Sequence, residues 1–240
     1  MNQCKGKMRK IAFLTTIFPM NEQFLYNFFD SLIGQTHDKF DVVVVNDNYD
    51  NFYDIKIKYK NLSIIELPYS DTPAKNREYG INYCVDNKYD VLIFGDSDDY
   101  FSNNRVALSM KYLETCDIVV NDLTLFNEQG IHINKYISNR LNDNSEVDYQ
   151  FIRDKNIFGL SNTAVNVNIL KRVFFDKEMK IVDWFLFKQL LKSGNKAIFT
   201  NKIITFYRQH LNNTIGLINK GGRFPLWWEV ENIKGKIHED

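Results

Sequence analysis

The chain has little cysteine: Cys4, Cys84 and Cys116 are an odd, scattered set in 240 residues. This excludes the close spacing of a zinc site and the density of a secreted disulfide scaffold, and it points to a reducing cytosol. An excess of either charge is also missing, with 30 Lys plus Arg against 30 Asp plus Glu. No global field therefore draws the protein to nucleic acid or anionic lipid, and a charge-driven partner must be met locally. No apolar run approaches the roughly 20 residues of a membrane-spanning helix. The basic stretch Met1–Lys10 precedes Ile11–Met20, which Thr15, Thr16 and Pro19 interrupt and which has no small-residue cleavage site. We expect a soluble, cytoplasmic protein with no nucleic-acid partner and at most peripheral contact with the inner face of a membrane.

What is present is a 44% apolar composition, ample for a core at this length. Ile11–Thr15 reads as a strand, and Phe24, Leu25, Phe28, Phe29 and Leu32 follow at helical spacing behind the possible cap Asn21. Asp41–Val45 and Leu62–Leu67 read as buried strands, Pro73 opens a second helix, and Val91–Phe94 is a fourth strand. A third helix is expected from about Asn104 to Thr115, and Ile118–Val120 as a fifth strand. Beyond these we expect strands at Leu123–Phe126, Ile131–Tyr136 and Ala197–Thr205, and a helix at Val182–Lys192. This alternation predicts a single open, mostly parallel twisted α/β sheet flanked by helices, with a smaller antiparallel portion in the second half. No repeat or linker divides the chain. We expect one domain over 1–240, with a nucleotide-binding half at about 10–120, an acceptor half at about 121–215 and a tail at 216–240 holding Trp227 and Trp228.

Acidic residues fall where strands end. Asp47 follows Val42–Val45, and Asp96-Ser97-Asp98-Asp99 follows Val91–Phe94, so both should face the crevice at the carboxyl ends of the strands. Two carboxylates one residue apart can present oxygens to Mg²⁺ or Mn²⁺, which keeps substrate phosphate and water as further ligands. The same four residues could instead form a solvated turn that caps the next helix.

Taken in order, Ile11–Thr16, Val42–Asp50, Ala74–Gly80 and Phe94–Tyr100 resemble the family 2 glycosyltransferases of the nucleotide-diphospho-sugar, or GT-A, fold. Val43-Val44-Val45-Asn46-Asp47 is similar to the family's β-branched run into two acidic residues, and Asn76-Arg77-Glu78-Tyr79-Gly80 to its Ala-Arg-Asn-x-Gly helix start. Asp96–Asp99 matches the family's Asp-Ala/Ser-Asp-Asp. Val182-Asp183-Trp184-Phe185 resembles its Glu-Asp before an amphipathic helix, and Tyr207-Arg208-Gln209-His210 its closing Tyr-Arg-x-His. The resemblance implies a metal-dependent, inverting transferase of hexosyl type, with Mg²⁺ or Mn²⁺ as cofactor and a UDP-linked nucleoside-diphosphate sugar as donor. A saccharide or lipid-linked saccharide is the implied acceptor, in polysaccharide or glycan assembly. It assigns Asp183 as the catalytic base and Thr16, Asp47, Arg77 and Asp96 to the nucleotide sugar. Asp98, Asp96 and His210 are the implied metal group.

Several family positions differ here. Asn46 stands in place of an acidic residue, Asn48-Tyr49 in place of Gly-Ser, Glu78 in place of Asn, and Val182 in place of Glu; Thr15–Phe18 replaces Pro-Thr-Tyr-Asn. Plainer roles also exist: Asp183 or Asp99 as helix caps, Arg77 as a surface partner of Glu78 or Asp71, and His210 as a packed core histidine. His37 and His132 read as loop residues. A degenerate member that binds a nucleotide sugar or partner without transfer is an alternative function. So is a haloacid-dehalogenase-like Mg²⁺ phosphatase, although its nucleophile strand normally comes first and Tyr100 stands where Thr or Val is usual.

Overall fold

The computed structural model describes residues 9–210. Strands β1 (Ile11–Ile17), β2 (Asp41–Asn46), β3 (Ser63–Pro68) and β4 (Val91–Phe94) are parallel and alternate with helices α1 (Glu22–Ile33), α2 (Phe52–Lys58) and α3 (Pro73–Asp86). Further along come β5 (Tyr100–Phe101), α4 (Arg105–Tyr112), β6 (Ile118–Asn127), β7 (Gly130–Ile133), β8 (Glu146–Val147) and α5 (Tyr149–Ile152). The described chain closes with β9 (Thr163–Asn166), α6 (Val182–Lys192) and β10 (Ala197–Arg208). The sheet order is β3-β2-β1-β4-β9-β6-β10-β5, with β7 on β6 and β8 on β10. Antiparallel pairing enters where β9 lies between β4 and β6. The expected open, mostly parallel sheet with an antiparallel portion in the second half is what is observed.

Period-two alternation explains the two cores. Ala12, Leu14, Val43, Val45, Leu92 and Phe94 face α3 and α6. Ile11, Phe13, Val42, Val44, Val91 and Ile93 face α1, α2 and α4. Strands buried on both faces read as continuous apolar runs, as these do. Asn21 caps α1 by accepting from Gln23 N, and Thr72 caps α3 ahead of Pro73 at its first turn. Gly80 lets α3 lie close on the sheet, because a Cβ there would come within 2.7 Å of Leu14 Cδ1.

Ile118–Val120 and Leu123–Phe126 are one continuous ten-residue strand, β6. Asn121 and Asp122 break the apolar pattern yet are fully buried, because Asn121 donates to Thr205 Oγ1 at 3.1 Å while Asp122 accepts from Ile137 N at 2.7 Å. The strand expected over Ile131–Tyr136 is the shorter β7, and Lys135 with φ 51° turns the chain away. His132 lies in that strand, not in a loop. The last strand runs on to Arg208. No helix among the described residues is long and apolar enough to cross a membrane. The expected tail, with Trp227 and Trp228, lies outside the described residues.

Candidate active site

The strand order reverses at β1: α1 leads to β2 on one side, and α3 returns the chain to β4 on the other. A crevice opens at such a switch point beyond the strand ends. Thr16, Asp47 and Asp96 all sit at that edge, since β1 pairs with β2 and with β4 in parallel register, Asp47 N donates to Ile17 O and Gly95 N donates to Leu14 O. Thr16, Arg77 and Asp96 line one small hollow there. Beside it is an open polar cleft of about 460 Å³ lined by Asn46, Asn48, Tyr49, Asp50, Pro68, Tyr69 and Ser70.

Secondary contacts hold these groups in place. Ser97 Oγ donates to Thr16 O at 2.8 Å, tying the acidic loop to the end of β1. The Asn76 amide donates to Asp47 at 2.8 Å. One turn of α3 therefore delivers both Asn76, toward Asp47, and Arg77, whose Nη2 lies 3.7 Å from Asp96 Oδ1. Arg77 is thus not the partner of Glu78 or Asp71. Glu78 pairs with Lys75 at 2.8 Å and accepts from Phe175 N at 2.6 Å, which pins the segment before α6 onto α3.

The Asp96–Asp99 segment gathers the second half of the chain. His210 Nε2 lies 2.9 Å from Asp98 Oδ2, with its ring 5.6 Å from that of Phe24. It is a half-buried carboxylate partner, not a packed core histidine. Arg208 Nε donates to Asp98 O at 2.7 Å and its guanidinium lies over Phe24 and Phe126. Asp99 caps no helix: it is fully buried and accepts from the Ser161 hydroxyl and, at 2.7 Å, from Arg208 N. The same Ser161 oxygen faces Asp96 N at 3.4 Å. Asp183 lies in the first turn of α6, one position beyond Val182, and its carboxylate accepts from Trp184 N at 2.7 Å; the cap position belongs to Ile181.

The electrostatics tie Asp183 to the cluster. Burial, followed by the charges of Asp98 and Asp183, raises the Asp96 carboxyl to about 6 against the opposing pull of Arg77, although 35% of its side chain meets solvent. Burial and the charges of Asp98 and Asp96 hold Asp99 well above the usual carboxylate range. The Tyr207 hydroxyl is pushed up by burial and by Asp99, Asp96, Asp98 and Asp183. Asp183 thus acts on Asp96 and Tyr207 through its charge, and Asp47 is joined through Asn76 to the turn of α3 whose Arg77 faces Asp96. Among the described residues no three His, Cys, Asp or Glu side chains form a closed metal cage. Asp98, with Asp96 two positions before it and His210 Nε2 at 2.9 Å, offers carboxylate oxygens of the kind a hard cation takes together with substrate phosphate.

Sequence reasoning left out three supporting residues. Asn76 and Arg208 stand inside the motifs already described, so their positions carried a signal. Ser161 lies in a loop with no pattern around it, and only the pairing of β9 brings it under Asp96 and Asp99.

The departures from the family pattern have local causes. Asn46 donates to Glu66 Oε1 at 2.7 Å, where a carboxylate would meet another carboxylate. Asn48 has φ 59°, a left-handed conformation that Asn tolerates better than most residues and that Gly adopts freely. Val182 is packed in the core.

The chain is similar to several known proteins. It is 25% identical over 194 residues to the UDP-Glc:alpha-D-GlcNAc-diphosphoundecaprenol beta-1,3-glucosyltransferase WfaP of Escherichia coli, covering 78% of this chain and 72% of that one. Among solved structures it matches S. aureus TarS 1-349 in complex with UDP-GlcNAc, with TM-score 0.65, 18% identity and 85% of this chain covered. It also matches the mannosyltransferase PcManGT of Pyrobaculum calidifontis in complex with GDP-Man and Mn²⁺, with TM-score 0.63, 14% identity and 87% covered. The chain spans 60% of the TarS chain and 59% of the PcManGT chain. The family model described as glycosyl transferase family 2 matches residues 17–178, and the chain belongs to that family.

Proposed function

We propose that this glycosyltransferase moves a hexosyl group from a UDP-linked donor to the hydroxyl of a lipid-linked saccharide, with inversion at the anomeric carbon. One arrangement supports the reading: Thr16, Arg77 and Asp96 line one hollow at the switch point, Asn76 of the same turn of α3 holds Asp47, and the charge of Asp183 acts on Asp96. The UDP-Glc donor and diphosphoundecaprenol-linked acceptor in the name of the E. coli relative support the donor and acceptor classes. In this reading residues 10–120 hold the nucleotide and 121–215 the acceptor within one unit.

Thr16 and Asp47 would contact the base and Asp96 the ribose. The Asp183 carboxylate accepts the proton of the acceptor hydroxyl as that oxygen bonds to the anomeric carbon. The bond from that carbon to the diphosphate oxygen breaks on the opposite face, and its electron pair leaves with UDP. Arg77 offsets part of the leaving charge. Asp98 and Asp96, with His210 alongside, fit a Mg²⁺ or Mn²⁺ ion, which when bound supplies charge neutralisation for the diphosphate.

Isothermal titration with UDP, GDP and CDP in the presence of Mn²⁺ tests the reading. UDP should bind and Asp98→Ala and Asp47→Ala should abolish binding; failure of wild type to bind any of the three overturns it.

A further inference from the structure

The acidic turn that follows β4 is gripped by one hydroxyl. Ser161 Oγ donates to the Asp99 carboxylate, and the same oxygen accepts from Asp96 N at 3.4 Å, so both ends of Asp96–Asp99 meet on a single atom. A serine hydroxyl has one proton and two lone pairs; with the proton given to Asp99, the lone pairs are left for Asp96 N. Asp99 N donates to Asp96 O at 3.1 Å and closes the turn, while Arg208 N donates to Asp99 and Arg208 Nε to Asp98 O, both at 2.7 Å. Ser161 is itself tightly held. Its carbonyl accepts from Thr205 Oγ1 at 2.9 Å, and that oxygen accepts from the Asn121 amide at 3.1 Å. The next residue, Asn162, donates to Asn121 O at 2.9 Å, and its own carbonyl accepts from Asn121 N at 2.8 Å. Asp99, Asn121, Ser161, Asn162 and Thr205 are all buried. Asp96 and Asp98, by contrast, keep 35% and 20% of their side chains in solvent. Packing alone would hold the turn to the sheet; a directional bond at each end also fixes how it is rotated.

We infer that Ser161 is a positioning residue for the cation site. Through the buried Asp99 carboxylate and Asp96 N it fixes the turn between them, and so the direction in which Asp98 and Asp96 present their oxygens to a divalent cation. Groups that orient the ligands of a metal in this way govern its affinity without touching it. The inference rests on the proposed function in taking those two carboxylates as the ligands of the cation.

Electron paramagnetic resonance of free Mn²⁺, titrated with the full chain in the presence of UDP, measures cation affinity without acceptor or turnover. Ser161→Ala should weaken it by about tenfold or more. Asp99→Asn keeps the shape of the side chain but sets a donor against the hydroxyl, and should weaken it by a comparable factor. The double variant should fall within about twofold of the weaker single one, because both act through the same contact. Leu113→Ala, just past the end of α4 away from Arg105, is the control for stability. Its melting temperature should fall through the cavity it opens, while its Mn²⁺ affinity stays within about twofold of wild type. The inference is overturned if a folded Ser161→Ala or Asp99→Asn holds Mn²⁺ like wild type, if the two losses multiply in the double variant, or if Leu113→Ala loses as much affinity as Ser161→Ala. Those outcomes leave the cation reading in place. Wild type that takes up no Mn²⁺ with UDP would overturn that reading and this inference together.

Discussion

The Asn76 amide donates to the Asp47 carboxylate across 2.8 Å, joining the first turns of α3 to the end of β2. Asn76 is 1% exposed, and its oxygen accepts from Asp71 N at 3.0 Å, so its amide can face Asp47 in only one sense. Asn76→Asp would set two carboxylates against each other and turn Asp47 from its present position. UDP affinity in Mn²⁺ should fall by about tenfold or more. Titration calorimetry measures it, and an unchanged affinity would separate Asp47 from nucleotide binding.

Asp183→Asn keeps the shape of the side chain and removes its basicity. Turnover should drop by about 10²- to 10⁴-fold, while UDP affinity stays within about twofold. Steady-state kinetics beside calorimetry separates the two quantities. Equal losses in both would make Asp183 a binding residue.

Gly95 carries the turn from β4 into the acidic loop. A Cβ there would stand 2.4 Å from Phe13 Cε1 and 2.7 Å from Phe101 Cζ, both rings being part of a packed core. Gly95→Ala should cost about 1–3 kcal/mol in urea unfolding. Gly34→Ala is the contrast: φ is −76° and the nearest neighbour of its Cβ is at 3.5 Å. Alanine there should be neutral or slightly stabilising, through a less flexible unfolded chain.

Glu66 gives a pH signature. Burial pushes its carboxyl up, but hydrogen bonds from Lys56 at 2.6 Å and Asn46 at 2.7 Å, with the Lys56 charge, outweigh that and hold it below the usual value. The unfolded chain then binds the proton more readily. The stabilisation is full above the ordinary glutamate value of about 4.3 and is lost as pH falls through the lower, folded value. Lys56 is 36% exposed, so solvent keeps the effect at or below about 1 kcal/mol. Glu66→Gln should be less stable than wild type at pH 7, with the gap closing in acid. Urea unfolding at both pH values checks this, and a gap independent of pH would count against it.

The parallel strands were legible because burial on both faces demands unbroken β-branched runs such as Val42–Val45, and helices α1 and α3 because their caps and apolar spacing are local. The second half was harder to read. β6 looked like two strands because Asn121 and Asp122 interrupt it; the distant partners are Thr205 for the Asn121 amide and Ile137 and Ser138 for the Asp122 carboxylate. Short β9 and α2 carry too few residues for a period to emerge.

The acidic positions were likewise visible at strand ends, whereas their partners were not. Asp99 resembled a cap in the sequence and is a buried anchor for Arg208 and Ser161. The sequence by itself determined the sheet, its two apolar faces and the carboxylates at its edge, because these follow from side-chain period and chain order. Only the tertiary structure decided that Arg77 meets Asp96, that His210 meets Asp98, and that Ser161 meets Asp99. Such contacts depend on segments as many as 112 residues apart, whose meeting no local pattern encodes.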